Sequence, residues 1–153
     1  MCMENLVRRL GRIFTLTKQN IGPTPTPLTL RRMDRLERTL SAWKKDKGWR
    51  VPVRTVGEAA ERLGTDTGIL HAYFRERVGL DFRTWRNRLR LEDAKCLLLE
   101  HPEWQAATVG RRVGFSNRSN FAREFLAYTG MTPKQWKEAR MSRDSRAPEN
   151  DYV

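Results

Sequence analysis

The chain has 153 residues, enough for one domain or two small ones, and its 39% hydrophobic content can build a modest core. Thirty lysines and arginines against 18 acids give a net charge of +12, a field that favours a polyanion, nucleic acid before an anionic membrane surface, with plain solubility as the alternative. No run approaches the roughly 18 apolar residues of a membrane span, nothing resembles a secretory signal, and Cys2 and Cys96 show neither CxxC nor Cys/His spacing, so the expectation is a soluble cytoplasmic chain without a disulfide framework, zinc site or other cofactor.

The charge is unevenly placed. Residues 1–54 carry 13 basic and 4 acidic side chains, residues 55–140 carry 15 and 11, and the tail from 141 carries 2 and 3. Residues 1–28 read as a basic arm and linker: "ENLVRRLGRIFTL" is either a frayed terminus or a short amphipathic helix for a membrane surface or partner, and "NIGPTPTPLT" (20–29), alternating Pro with Thr, reads as extended. After it, Leu30, Met33, Leu36, Leu40 and Trp43 recur at steps of three and four, one face of a helix. That helix either packs in the first subdomain's core, the reading preferred here, or pairs with a second copy.

From Thr55 the chain repeats. Ala60 followed by Leu63 and Gly64 matches Gly110 followed by Val113 and Gly114 at an offset of 50, and Leu70, Phe74, Gly79 and Trp85 match Phe121, Phe125, Gly130 and Trp136 at an offset of 51. A small residue, a hydrophobe three on, a glycine and then apolar residues four apart describe a helix-turn-helix, so two are expected, over 29–81 and 102–141, with a tail from 142. The small residue lets two helices cross closely and the glycine ends the first of them in a left-handed conformation. Thr55 with Glu58, Asp66, Thr108 and Ser116 are the expected helix caps.

With Phe121 and Phe125 turned inward, Ser119 and Arg123 point outward, Asn120, Ala122 and Ala127 flank them, and Arg118 lies nearer the edge. Arginine bonds bidentately to guanine in the major groove, and Asn or Ser takes base or phosphate partners, so this face is the candidate reader of double-stranded DNA. The matching helix of the first repeat offers Thr67, Gly68, His71, Ala72 and Arg75, with Glu76 beside them. Its readout depends on His71 and Arg75, with Ala72 against a thymine methyl and Gly68 allowing close approach to phosphate.

Between the repeats, Phe82, Trp85, Leu89, Ala94, Leu97 and Leu98 suit a linker helix over 82–101, capped by Asp81 and stopped at Pro102, with Cys96 packed inside. About 18 residues at roughly 1.5 Å each span about 27 Å, comparable with one DNA turn, so two successive major grooves are within reach. Arg83, Arg86 and Arg90 share a face that either touches phosphate or is merely solvated.

"AERLG", "FRTWRNRLRLEDAKCLL" and "VGRRVGFSNRSNFAREFLAYTGMTPKQWKEAR", within residues 36–140, resemble the DNA-binding domain of AraC/XylS-type transcriptional regulators. The resemblance implies an all-α fold of two helix-turn-helix subdomains joined by a linker helix, an asymmetric DNA site, and activation through RNA polymerase. It places base reading on Gly68, His71 and Ala72 and on Ser119 and Arg123. Gly57 and Ala59 stand where the family usually has larger residues, and Gly110 replaces its usual alanine, so both scaffold helices are expected to be less stable than typical. No sensing domain fits in the first 54 residues, which leaves either a truncated output module or a small stand-alone regulator, with a homodimer open. Family-like segments also occur in alkylation-repair proteins, but that chemistry needs clustered cysteines; with no triad, phosphate loop or carboxylate pair above chance, no enzyme is expected.

Overall fold

The computed structural model describes residues 25–144 as seven α-helices, with no strand among the described residues. The expectations placed on residues 1–19 and on most of the tail lie outside the described residues. The first helix, α1 (Pro27–Lys45), is capped by Thr26, whose hydroxyl accepts the Thr29 N–H at 3.2 Å, and Pro27 takes the first helical position. Proline suits that position because the helix leaves its N–H unpaired in any case. The Pro/Thr run therefore does not stay extended to Thr29; its last residues start the helix. Met33, Leu36 and Leu40 are buried and Trp43 is half-buried, whereas Leu30, expected on the same face, is 41% exposed near the helix start.

The remaining helices are α2 (Val56–Arg62), α3 (Thr67–Tyr73), α4 (Phe82–Glu100), α5 (Ala106–Arg112), α6 (Arg118–Thr129) and α7 (Pro133–Asp144). α3 does not end cleanly but opens into a π turn over Phe74–Val78, closed by the bond from Gly79 N–H to the Phe74 carbonyl at 2.8 Å. Residue contacts divide the chain inside α4, between Leu89 and Arg90.

In the first unit α2 and α3 form the expected helix-turn-helix. Gly64, at φ +63°, donates to the Glu61 carbonyl and Thr65 donates to the Ala60 carbonyl at 2.9 Å, so two of the carbonyls at the end of α2 are satisfied. The second unit repeats this turn bond for bond: Gly114, at φ +99°, donates to Arg111 and Phe115 donates to Gly110 at 2.9 Å. One core gathers Leu36, Leu40, Leu63, Leu70, Phe74 and Phe82. A separate core gathers Leu98, Val109, Phe115, Phe121, Phe125 and Trp136. Each repeat also has a third helix begun by an equivalent cap. Asp81 accepts the Thr84 N–H at 2.9 Å at the start of α4, and Thr132 and Gln135 bond reciprocally at the start of α7. Cys96 is buried as expected, but it is not a free thiol.

Candidate nucleic-acid interface

α6 is held from below by two rings. Phe121 and Phe125 are fully buried, 5.6 Å apart between centroids, and Phe125 in turn meets Trp136 of α7 edge-on at 6.1 Å. At four-residue spacing they fix the rotation of the helix, which leaves the opposite face to solvent. Gly110 is what lets α5 come close: a Cβ there would sit 2.8 Å from the Phe121 ring. Asn117, not Ser116, caps α6, its Oδ1 accepting the N–H groups of Ser119 at 2.7 Å and Asn120 at 3.1 Å. Likewise Gln105 rather than Thr108 precedes α5, and Thr108 lies within the helix.

On the solvent face Arg118, Ser119 and Arg123 are exposed, with the Arg123 side chain at 74%. Asn120 is half-buried, and its Oδ1 accepts Arg123 Nη2 at 2.5 Å, so these two side chains form one unit. Glu124 lies 3.9 Å from the same guanidinium. The outcome is an outward arginine already steered by a neighbour, which lowers the entropy lost when it engages a planar partner.

The first unit presents a different face. Asp66 caps α3 through the Ile69 N–H at 2.9 Å and pairs with Arg32 of α1; the Ile69 backbone donor above all, with Arg32 assisting, holds its carboxyl below the ordinary value. Thr67, Gly68 and His71 are exposed, whereas Ala72 is half-buried and packs against the core, so little of its methyl reaches outward. Arg75 lies beyond α3 in the π turn, where the helical projection no longer applies, and its Nε donates to Glu76 at 2.9 Å. The structure thus groups Thr67, Gly68 and His71 and sets Ala72 and Arg75 apart. Arg77, unremarked in the sequence, clamps this turn to α1 through Glu37 and Asp34, both at 2.6 Å; the bond to Asp34 is the main reason its pKa is raised.

The arginine face expected on α4 does not form. Arg83 is exposed, but Arg86 and Arg90 are buried at 8% and 5% exposure. Arg86 donates to the Val53 carbonyl at 3.3 Å and lies over the Phe82 ring, and burial depresses its pKa. Arg90 covers the Phe115 ring. Both long stems fill core edges, so neither guanidinium is offered to phosphate. Among the described residues no helix is long and apolar enough to cross a membrane, and no group of three or more His, Cys, Asp or Glu could hold a metal ion.

Two helix-turn-helix units of one pattern, the second with an exposed basic and polar face, define a DNA-binding module. Comparison with known proteins carries this further. Residues 59–139, more than half of the chain, match the family model described as "Helix-turn-helix domain", and the chain belongs to this AraC-type helix-turn-helix family. The arabinose operon regulatory protein of Escherichia coli (strain K12) is 33% identical over 82 residues, which are 54% of this chain and 28% of that protein. An uncharacterised HTH-type transcriptional regulator of Staphylococcus aureus (strain COL) is 30% identical over 100 residues, 64% of this chain and 13% of that protein. The chain therefore spans less than a third of the length of the curated relatives it matches. Among solved structures, the C-terminal domain of the two-component response regulator yesN from Fusobacterium nucleatum superposes with TM-score 0.59 at 26% identity, covering 68% of this chain and 98% of that one. An AraC-type transcriptional regulator from Chromobacterium violaceum shares the fold, with TM-score 0.57 at 20% identity over 72% of this chain and 96% of that one.

Proposed function

We propose that this chain is the DNA-binding part of a transcriptional regulator that reads double-stranded DNA by sequence, with α3 and α6 each entering a major groove of one asymmetric site. The observation that carries the reading is the face of α6, where Ser119 and the Asn120-steered Arg123 stand exposed on a helix whose rotation two buried phenylalanines fix. Arg123 makes the base contact, Ser119 a base or phosphate contact, and Arg118 a phosphate contact at the first turn. In the first unit Thr67, Gly68 and His71 approach the backbone and one base edge, with Ala72 and Arg75 contributing less.

The whole protein acts in the cytoplasm without catalysing a reaction, and contact with RNA polymerase or with a second copy belongs to the assembly on promoter DNA. A further portion of a longer regulator supplies any response to a signal, in keeping with the small share of each relative that the chain spans.

The test is selection of the purified chain against a random duplex library at roughly 150 mM salt, where simple charge attraction is already screened. An enriched asymmetric motif with two elements about one helical turn apart supports both units as readers. One enriched element assigns reading to α6 alone. Absence of enrichment, with binding that vanishes as salt rises, replaces this proposal with a non-specific binding or docking module.

A further inference from the structure

The charged residues of α1 differ in what they are bound to. Both of its acids, Asp34 and Glu37, are bound by Arg77, and Arg32 is bound to Asp66. Apart from Lys44, which is half-buried, what remains is Arg31, Arg35, Arg38 and Lys45, all exposed and none in an ion pair with another described residue. At 100° per residue these four fall within about 80° of one another, opposite the buried Met33, Leu36 and Leu40, and they run about 21 Å along the helix at roughly 1.5 Å per residue. Like charges at three- and four-residue spacing repel, which Asp34, three residues from Arg31 and four from Arg38, offsets only in part because Arg77 binds it, so an anion lying against the stripe is favoured.

The chemistry of the stripe selects its occupant. A membrane-surface helix inserts an apolar face, but the apolar face of α1 is buried in the first unit's core. A protein partner is anchored by aromatic or aliphatic side chains, and between Arg31 and Lys45 this stripe holds only Ala42 besides its cations. Three of the four cations are arginines, whose planar fork fits phosphate oxygens in pairs. We infer that α1 is a phosphate-binding element separate from the helix-turn-helix, and that Arg31, Arg35, Arg38 and Lys45 lie along the DNA backbone when the chain is bound. This rests on the DNA-binding reading above and adds to it a sequence-independent anchor on a scaffold helix.

The test compares the full chain with the R31Q/R35Q/R38Q and R31K/R35K/R38K variants on one selected duplex, with affinity measured across a salt series. Each phosphate contact contributes about −0.9 to the slope of log K against log salt. The glutamine variant is expected to flatten the slope by about 2 to 3 while selecting the same motif, and the lysine variant to keep the parental slope. Far-UV dichroism and melting of the glutamine variant should match or exceed the parent, since repulsion is removed. An unchanged slope in a parent that binds DNA overturns this inference alone, and a parent that binds no duplex removes the DNA reading with it. Loss of binding to phosphatidylserine vesicles in the glutamine variant, with its DNA slope intact, assigns the stripe to membrane and also overturns the inference.

Discussion

At Gly110 two physical demands oppose each other. Helix propensity favours alanine by about 0.5 to 1 kcal/mol, yet an added Cβ would meet the Phe121 ring at 2.8 Å, a contact near the ring's attachment that no small rotation relieves. Overpacking wins: Gly110→Ala is expected to destabilise the second unit by about 1 to 3 kcal/mol, measured by chemical denaturation. Gly57 has the opposite surroundings, with only Thr55 Oγ1 at 3.7 Å near an added Cβ. Gly57→Ala should therefore stabilise the first unit by about 0.5 to 1 kcal/mol. The sequence shows glycine in both helices, but only the packing of α5 on α6 distinguishes a required glycine from a tolerated one. The same scale governs recognition. Arg123→Ala is expected to cost about 1 to 3 kcal/mol at the preferred site and to relax one base position. Asn120→Ala, which frees Arg123, should weaken the same position by less. An equal loss on every duplex would make Arg123 a phosphate contact.

The elements show where the sequence was legible and where it was not. Capping of α2 by Thr55, of α3 by Asp66 and of α4 by Asp81 follows from residue type alone, since a short polar side chain beside an apolar periodic run has little else to bond. The helices of the second repeat start at Gln105 and Asn117 rather than at the expected Thr108 and Ser116, although the repeat itself contains the correction. An offset of 50 maps Thr55 onto Gln105, and the later offset of 51 maps Asp66 onto Asn117, because the second turn contains one extra residue between its glycine and its cap. The π turn after α3 and the burial of Arg86 and Arg90 were not legible, because both depend on how the chain packs rather than on local preference. Three carboxylates of the first unit have depressed pKa values: Glu58 chiefly through the Arg54 backbone N–H, Asp66 through that of Ile69, and Asp81 through the Thr84 hydroxyl. A folded pKa below the unfolded one gives stability that is present above the unfolded value, near 4, and lost as pH falls through the folded value. The melting temperature of the first unit should thus fall between about pH 5 and pH 2, and Asp66→Asn with Asp81→Asn should flatten that fall, since asparagine caps without titrating.

At the scale of the molecule, the described residues form two repeats with separate hydrophobic cores, and α4 contributes Phe82 to the first and Leu97 and Leu98 to the second. Small units of this size have little stability in reserve, so a single large cavity can exhaust one of them. Phe125 is fully buried between Phe121 and Trp136, and Phe125→Ala is expected to cost about 3 to 5 kcal/mol, comparable to what such a unit holds. The tryptophans report each unit separately: Trp43, Trp49 and Trp85 lie in the first, Trp104 and Trp136 in the second. In Phe125→Ala the indole N–H resonances of the first three should keep their native shifts while the other two collapse toward unfolded positions. DNA affinity should then persist as a strongly salt-dependent remainder without the preference that α6 supplies, because the net charge of +12 is unaltered. Simultaneous loss of all five indole signals would mean that α4 transmits unfolding from one core to the other and that the chain folds as one cooperative body.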